Sequence, residues 1–283
     1  MMQLGQWKLE TVNGGRFWLD GGATYGVVPK PVWQNVTTPD AFNRIPFANH
    51  CVLARNDRQN ILIDTGYGSK LSRLDRSSYV ADAGDPLTES LATLGLRPSD
   101  IDVVVFSHLH WDHAGGATRF DESRRAIPVF PNATHFVNRW EWEDATGGAP
   151  ELKSSYAPEN FAPLEAAGQL VLLDGEAEIV PGLWSRVTGG HTRGHQALLF
   201  ESNGEVAVYP ADLCPASTHL RRMWCAAYDL YPLEMRRAKP ELLGAAADQG
   251  WWILWDHDPT MAISRLERHK SREFIVCDER GQL

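Results

Sequence analysis

The chain has 283 residues, 43% of them apolar and 22% charged, with 27 Lys and Arg set against 36 Asp and Glu for a formal charge of -9. That balance is ordinary for a soluble globular protein with a large core, and its negative sign argues against nucleic acid as a partner. Met1 to Glu10 lack a basic start followed by an apolar segment, and no later stretch is apolar enough to span a bilayer, so a cytoplasmic protein without membrane contact is expected.

Trp7 to Val12 and Arg16 to Leu19 are strand-like runs separated by Asn13-Gly14-Gly15, which predicts an opening hairpin. From Gly21 to Asn49 the pattern dissolves into Gly, Pro and aromatic residues, among them Tyr25, Trp33, Phe42 and Phe47. A loop of that length inside a compact domain is usually functional, so it is expected to wall a substrate pocket or to form a dimer contact. Cys51 to Ala54 and Asn60 to Asp64 read as neighbouring strands, and the second runs into Asp64-Thr65-Gly66. Residues 67–100 show no chemistry of their own. Leu87, Leu91 and Leu94 recur at helical spacing with Gly95 as C-cap.

The apolar run Ile101 to Phe106 is rich in β-branched residues and too short for an ordinary helix, so it predicts a buried strand. Directly after it comes Ser107-His108-Leu109-His110-Trp111-Asp112-His113-Ala114-Gly115-Gly116. A strand end is fixed by its sheet while the loop beyond is free to turn side chains to one point, and the glycine pair offers a place to turn. Imidazole and carboxylate together suit zinc or a similar first-row metal. His108, His110, Asp112 and His113 are more ligands than one open tetrahedral site would use, which points to two metals and to further ligands downstream.

Beyond the motif, Ile127 to Phe130 and Thr134 to Val137 read as strands, Arg139 to Ala145 as a helical start, and 146–168 as loop with a short helix. His135, in an alternating strand, reads as a core or edge residue. Strand signals at Leu170–Leu173, Ala177–Val180, Leu183–Val187, Ala197–Phe200 and Glu205–Tyr209 suggest a meander forming a second sheet. His191 and His195 share the loop Thr188-Gly189-Gly190-His191-Thr192-Arg193-Gly194-His195, and Asp212 follows Tyr209. A helix is predicted from Pro232 to Asp248, interrupted at Pro240. Trp251 to Trp255 reads as a buried strand that delivers His257, and Ala262–Glu267 with Glu273–Cys277 as a closing hairpin. Cys51, Cys214, Cys225 and Cys277 form no Cys-x-x-Cys pair, so neither a disulfide framework nor a thiolate zinc site is indicated, and Cys214 reads as a buried small hydrophobe. No repeat or linker breaks the chain, so one domain over 1–283 is expected.

His-x-His-x-Asp-His after an apolar strand resembles the signature of the metallo-β-lactamase superfamily. The resemblance implies a four-layer αββα sandwich of α/β (α+β) class with a dinuclear metal site. It implies His108, His110 and His191 on the first metal, Asp112, His113 and His257 on the second, and Asp212 bridging them. Asp64 and His195 would support the ligand loops without binding metal. The metals would be two divalent ions, zinc by first expectation, with manganese, cobalt and iron as alternatives.

The implied chemistry is hydrolysis: a hydroxide held between the metals attacks an ester or lactone carbonyl, and Asp112 passes a proton to the leaving alkoxide. Asp212-Leu213-Cys214-Pro215, His219-Leu220 and Tyr228-Asp229 look most like the quorum-quenching N-acyl-homoserine lactonase branch of YtnP-like type. Studied lactonases carry a tyrosine three residues after the bridging aspartate, where this chain has Pro215, so Tyr25 or His219 would have to replace it. Tyr25, Phe47, Trp111 and His219 are accordingly the expected pocket residues. A phosphotriester hydrolase of the same fold and a non-catalytic metal-binding relative are the alternatives. A small-molecule ester or lactone is the expected partner, with a homodimer possible from the resemblance.

Overall fold

The structure is a computed structural model that describes residues 1–280. Its strands are β1 (Met2–Leu4), β2 (Trp7–Asp20), β3 (Arg44–Arg55), β4 (Asn60–Ile63), β5 (Val103–Val105), β6 (Thr118–Phe120), β7 (Ala126–Pro128), β8 (Thr134–Asn138), β9 (Leu170–Leu173), β10 (Ala177–Val180), β11 (Leu183–Val187), β12 (Gln196–Ser202), β13 (Glu205–Tyr209), β14 (Trp252–Leu254), β15 (Ile263–His269) and β16 (Glu273–Arg280). They make two seven-stranded sheets, ordered β1-β2-β3-β4-β5-β8-β9 and β10-β11-β12-β13-β14-β15-β16, with β6-β7 as a separate pair.

Alternation along the central strands builds three apolar layers. Ile61 and Ile63 of β4, Val103 and Val105 of β5, Leu198 and Phe200 of β12, and Leu254 of β14 meet between the sheets. Leu62, Val104 and Phe106 face outward beneath Leu87, Leu91, Trp142 and Leu164 of the covering helices. Leu199, Val208 and Ile253 face the other way onto Met235, Leu242, Leu243 and Ala246 of the helix Pro232–Gln249. The result is helix, sheet, sheet, helix, the layering of the metallo-β-lactamase fold.

Several sequence expectations need correction. Asn13-Gly14-Gly15 is no hairpin turn: β2 runs through it, paired with β3 from Lys8↔Arg55 to Asp20↔Arg44, with a bulge between Asn13 and Arg16. The glycines are there for close approach, since a Cβ on Gly15 would meet the Tyr67 ring at 2.2 Å and one on Gly66 would meet the Gly14 carbonyl oxygen at 2.4 Å. The opening hairpin is instead β1-β2, turning at Gly5 and Gln6. Residues 21–49 are not one long loop, because they hold helical turns at Gly21–Tyr25 and Lys30–Trp33 and the start of β3 at Arg44. β9 pairs in parallel with β8 and so belongs to the first sheet rather than to the meander. The helix Pro232–Gln249 continues through Pro240, and its buried face outweighs the one backbone bond that proline removes. The helix at Arg73–Tyr79 has no counterpart among the sequence expectations.

Other expectations hold. The helix predicted around Leu87 and Leu91 spans Pro86–Thr93, β8 and the helix Arg139–Thr146 follow in order, and β15-β16 close the chain as an antiparallel hairpin. His135 is fully buried in the core, where burial holds its imidazole down at about 4. All four cysteines are free, and burial raises the Cys214 thiol to about 12. Among the described residues no helix is long and apolar enough to cross a membrane.

Candidate metal centre

The two sheets meet where β5, β13 and β14 end. Gln196, at the start of β12, ties them there: its backbone N–H donates to the Ser107 carbonyl at 3.0 Å and its side-chain amide to the Phe106 carbonyl at 2.8 Å. The motif after β5 turns at once into the helical turn Trp111–Ala114, which carries Asp112 and His113. Gly115 has an ordinary helical φ of -60°. Gly115-Gly116 are required for contact: a Cβ on Gly116 would lie 2.0 Å from the Thr65 carbonyl oxygen. The Gly116 N–H donates to Gly66 and the Thr65 N–H to His113, so the motif turn and the Asp64 turn are bonded to each other.

Two groups of side chains converge there. His108, His110, His191 and Asp212 form one, and His113, Asp212, Asp256 and His257 the other, with one ligand atom from each member within 4.8 Å of the rest. Asp212 belongs to both. Its Oδ2 is 2.9 Å from His191 Nε2 and 3.8 Å from His108 Nε2, while its Oδ1 is 3.2 Å from His257 Nε2 and 3.7 Å from His113 Nε2. Asp112 approaches the second group, with Oδ2 3.6 Å from His257 Nε2 and 3.8 Å from His113 Nε2. The structure therefore brings together all seven side chains expected at the centre, and adds Asp256.

The far nitrogens of four of these rings are already committed, whereas His110 turns Nδ1 inward and its Nε2 has no partner. His113 Nδ1 donates to Asp64 Oδ2 at 2.9 Å, His191 Nδ1 to Asp229 Oδ1 at 2.7 Å, and His257 Nδ1 to the Ala48 carbonyl at 2.8 Å. His108 Nδ1 lies 3.0 Å from Ser107 Oγ, whose own hydrogen goes to Asp64 Oδ2 at 2.7 Å. Each neutral ring thus points a lone pair inward, onto carboxylates that also only accept. Such a convergence of acceptors requires positive charge at its centre.

Without metal, protons supply part of that charge. Against burial, which pulls it down, Asp112, Asp64 and Asp212 raise His113 to about 9. Asp212 and Asp229 likewise carry His191 up to about 10 against burial. Burial would raise Asp212, but His191, His113 and His257 hold it well below the usual carboxylate range. His108 and His110 are pulled well down by burial and by the neighbouring imidazoles. Divalent cations bound by these rings would displace protons, as metal binding to histidine and carboxylate does generally. The donor set fits metal.

Asp64 supports the centre. Its left-handed backbone, φ 55°, turns the carboxylate under the motif, where it accepts from Ser107 N, Ser107 Oγ, His113 Nδ1 and Tyr209 OH. His195 braces the loop that carries His191: its Nδ1 meets Thr188 Oγ1 at 2.6 Å and its carbonyl accepts from the Thr188 and Gly189 N–H groups at 2.9 and 3.2 Å, while its Nε2 has no partner. Sequence reading missed three further supports. Glu141 accepts from Leu109 N–H at 2.9 Å and Thr192 Oγ1 at 2.5 Å, Asn49 donates to the Asp112 carbonyl at 2.6 Å, and Asp229 holds His191. Only Asp229 had a sequence signal, through its place in Tyr228-Asp229.

A cavity of about 220 Å³ is lined by His110, Asp112, Asp212 and His257 and walled by Phe17, Leu19, Phe47, Tyr79, Trp111, Ser154, Ser155 and Tyr228. Trp111 stacks on Tyr79 with ring centres 4.7 Å apart and meets Phe17 edge-on at 5.1 Å. Phe47 and Trp111 therefore stand where expected. Tyr25 and His219 do not: they stack on each other at 4.6 Å and line a second cavity of about 300 Å³ that shares Phe47 and His257 with the first. The Tyr25 hydroxyl is occupied by Thr37 and Thr218, and the His219 ring by Thr24 and Thr218. The phenols on the wall of the metal-side cavity are Tyr79 and Tyr228, and Tyr79 comes from the stretch that showed no chemistry in sequence.

Comparison with known proteins agrees with this geometry. Residues 44–256 match the model of a family described as the metallo-beta-lactamase superfamily. An N-acyl homoserine lactonase from a Bacillus species is 29% identical over 206 residues, covering 69% of this chain and 70% of that protein. The crystal structure of a probable metal-dependent hydrolase from Staphylococcus aureus superposes with a TM-score of 0.89 at 31% identity, covering 98% of this chain and 99% of the other. The dizinc quorum-quenching lactonase AidC, bound to N-hexanoyl-L-homoserine, shares the fold with a TM-score of 0.80 at 22% identity over 99% of this chain and 96% of its own.

Proposed function

The chain is a hydrolase of the metallo-β-lactamase superfamily, and we propose that it opens the ring of N-acyl-homoserine lactones at a dinuclear metal centre, with residues 1–283 acting as one domain. The observation that carries this reading is the position of Asp212: one carboxylate faces two histidine groups with its two oxygens and lines a cavity walled in part by aromatic rings.

His108, His110 and His191 with Asp212 would hold one metal, and Asp112, His113 and His257 with Asp212 the other. Two divalent ions held there supply activation of water at neutral pH and Lewis-acid polarisation of the carbonyl under attack. Asp112 stands on the cavity wall beside His257, where its carboxyl takes up a proton and hands it to the alkoxide as the ring C–O bond breaks. Tyr228, rather than Tyr25 or His219, presents a phenol to the cavity beside His191 and takes the donor role left open at Pro215. Phe17, Leu19, Phe47 and Trp111 form the surface on which an acyl chain is buried and from which bulk water is excluded.

The experiment is hydrolysis of N-decanoyl-homoserine lactone by metal-loaded protein, in parallel with an aryl phosphotriester. A kcat/KM for the lactone at least about 100-fold above that for the phosphotriester, a margin of about 2.7 kcal/mol in transition-state binding, supports the reading. The reverse order would replace it with the phosphotriester alternative.

A further inference from the structure

Among the described residues, Asp256 is the carboxylate at this centre with neither a donor nor a face on the cavity. Its side chain is completely buried, and neither of its oxygens has a hydrogen-bond partner. Its neighbours are differently placed. Asp64 accepts from four groups, Asp229 from His191 Nδ1 and the Ala226 N–H, Glu141 from Leu109 and Thr192, and Asp258 from Ser217, Thr260 and Met261. A buried carboxylate with no donor either takes up a proton or is completed by a cation, and a metal bound beside it displaces the proton.

The position of that cation follows from the surrounding atoms. An Asp256 oxygen, an Asp212 oxygen, His113 Nε2 and His257 Nε2 lie within 4.8 Å of one another. The two Nε2 atoms face each other at 3.2 Å, and their rings' Nδ1 atoms are bonded to Asp64 and Ala48. Asp256 Oδ2 is 3.5 Å from His257 Nε2. Asp112 approaches the same nitrogens from the cavity side, whereas Asp256 lines no part of that cavity and lies behind them. The Asp256 backbone is fixed too, because its carbonyl accepts from the His50 N–H of β3 at 2.7 Å.

Resting on the dinuclear reading above, we infer that Asp256 is a further protein ligand of the second metal, which it closes on the side away from the substrate, beside Asp112, His113, His257 and Asp212. Asp112 is then the carboxylate of that set on the cavity side, where a proton has to move. His257 and Asp256 act as a consecutive pair of ligands delivered by the end of β14.

Two measurements test this without relying on turnover. In a crystal of the wild-type protein loaded with zinc, an Asp256 oxygen should lie at about 2.0–2.2 Å from the second metal. In solution, Asp256→Asn should keep the first metal and bind the second at least about 100-fold more weakly, beyond the 10–100-fold typical of a residue that only orients a ligand. An Asp256 oxygen more than about 3 Å from a bound second metal, or unchanged affinity in the variant, overturns the inference and leaves the dinuclear reading intact. Wild-type protein that binds fewer than two metals overturns both.

Discussion

Replacing Glu141 should show how much of the centre is built by residues that never touch it. Its carboxylate spans the two loops that carry His108, His110 and His191, accepting from Leu109 N–H at 2.9 Å and from Thr192 Oγ1 at 2.5 Å, with no exposure to solvent. Glu141→Ala leaves a backbone N–H and a hydroxyl buried without partners, at about 1–3 kcal/mol each. A central value is about 4 kcal/mol, roughly 8–16 °C in Tm at 2–4 °C per kcal/mol for a chain of this size class. Glu141→Gln keeps the shape and one acceptor, and should cost about 1 kcal/mol. The assay is calorimetry of the metal-free variants together with isothermal titration of the first metal, whose affinity should fall about 10–100-fold in the alanine variant. An alanine variant within about 2 °C of wild type and with unchanged affinity would refute the idea that Glu141 joins the two loops.

Further outcomes follow from the same contacts. Lys239 is buried with Nζ donating to the carbonyls of His219 at 3.1 Å and Trp224 at 2.5 Å, so Lys239→Met should cost about 2–4 kcal/mol and speed amide exchange in the 217–229 segment that holds Asp229. Trp111→Ala removes a ring packed between Tyr79 and Phe17, and should raise KM for a long-chain lactone about 10–100-fold while changing kcat less, as initial rates across acyl-chain lengths would show. Stripping the metals with a chelator should lower stability by about 2.7 kcal/mol for each site that had been held at 100 times its Kd, readable as a drop in Tm that re-addition of zinc reverses.

The candidate ligands were legible because chemistry concentrates there: three histidines and an aspartate within six positions exceed what packing at a strand end calls for, and strand ends are marked by the apolar runs before them. The supports were less legible. Glu141 reads as an ordinary helix residue, and Asp256 as the polar neighbour of His257, until the fold brings them under the loops. Sheet membership of β9 could not be read from its own four residues, since parallel pairing is decided by the partner strand rather than by local pattern. Asn13-Gly14-Gly15 misled because the two glycines that suggest a turn also allow another backbone to pass close by, and here the Gly66-Tyr67 turn does so. Tyr25 and His219 were reasonable donors by residue type, yet the threonines at 24, 37 and 218 occupy their polar atoms.

In the proposed function, Asp212 holds two metals that act together on one substrate. The most direct test is a zinc titration of metal-free protein in which metal content and lactone opening are read on the same samples, for wild type and Asp212→Ala. The account predicts that wild-type turnover reaches its maximum at two equivalents of zinc, while the variant binds zinc weakly at both positions and loses at least about 1,000-fold in kcat/KM, a little over 4 kcal/mol. Full activity in the variant, or a wild-type enzyme saturated in rate by a single equivalent, would contradict it.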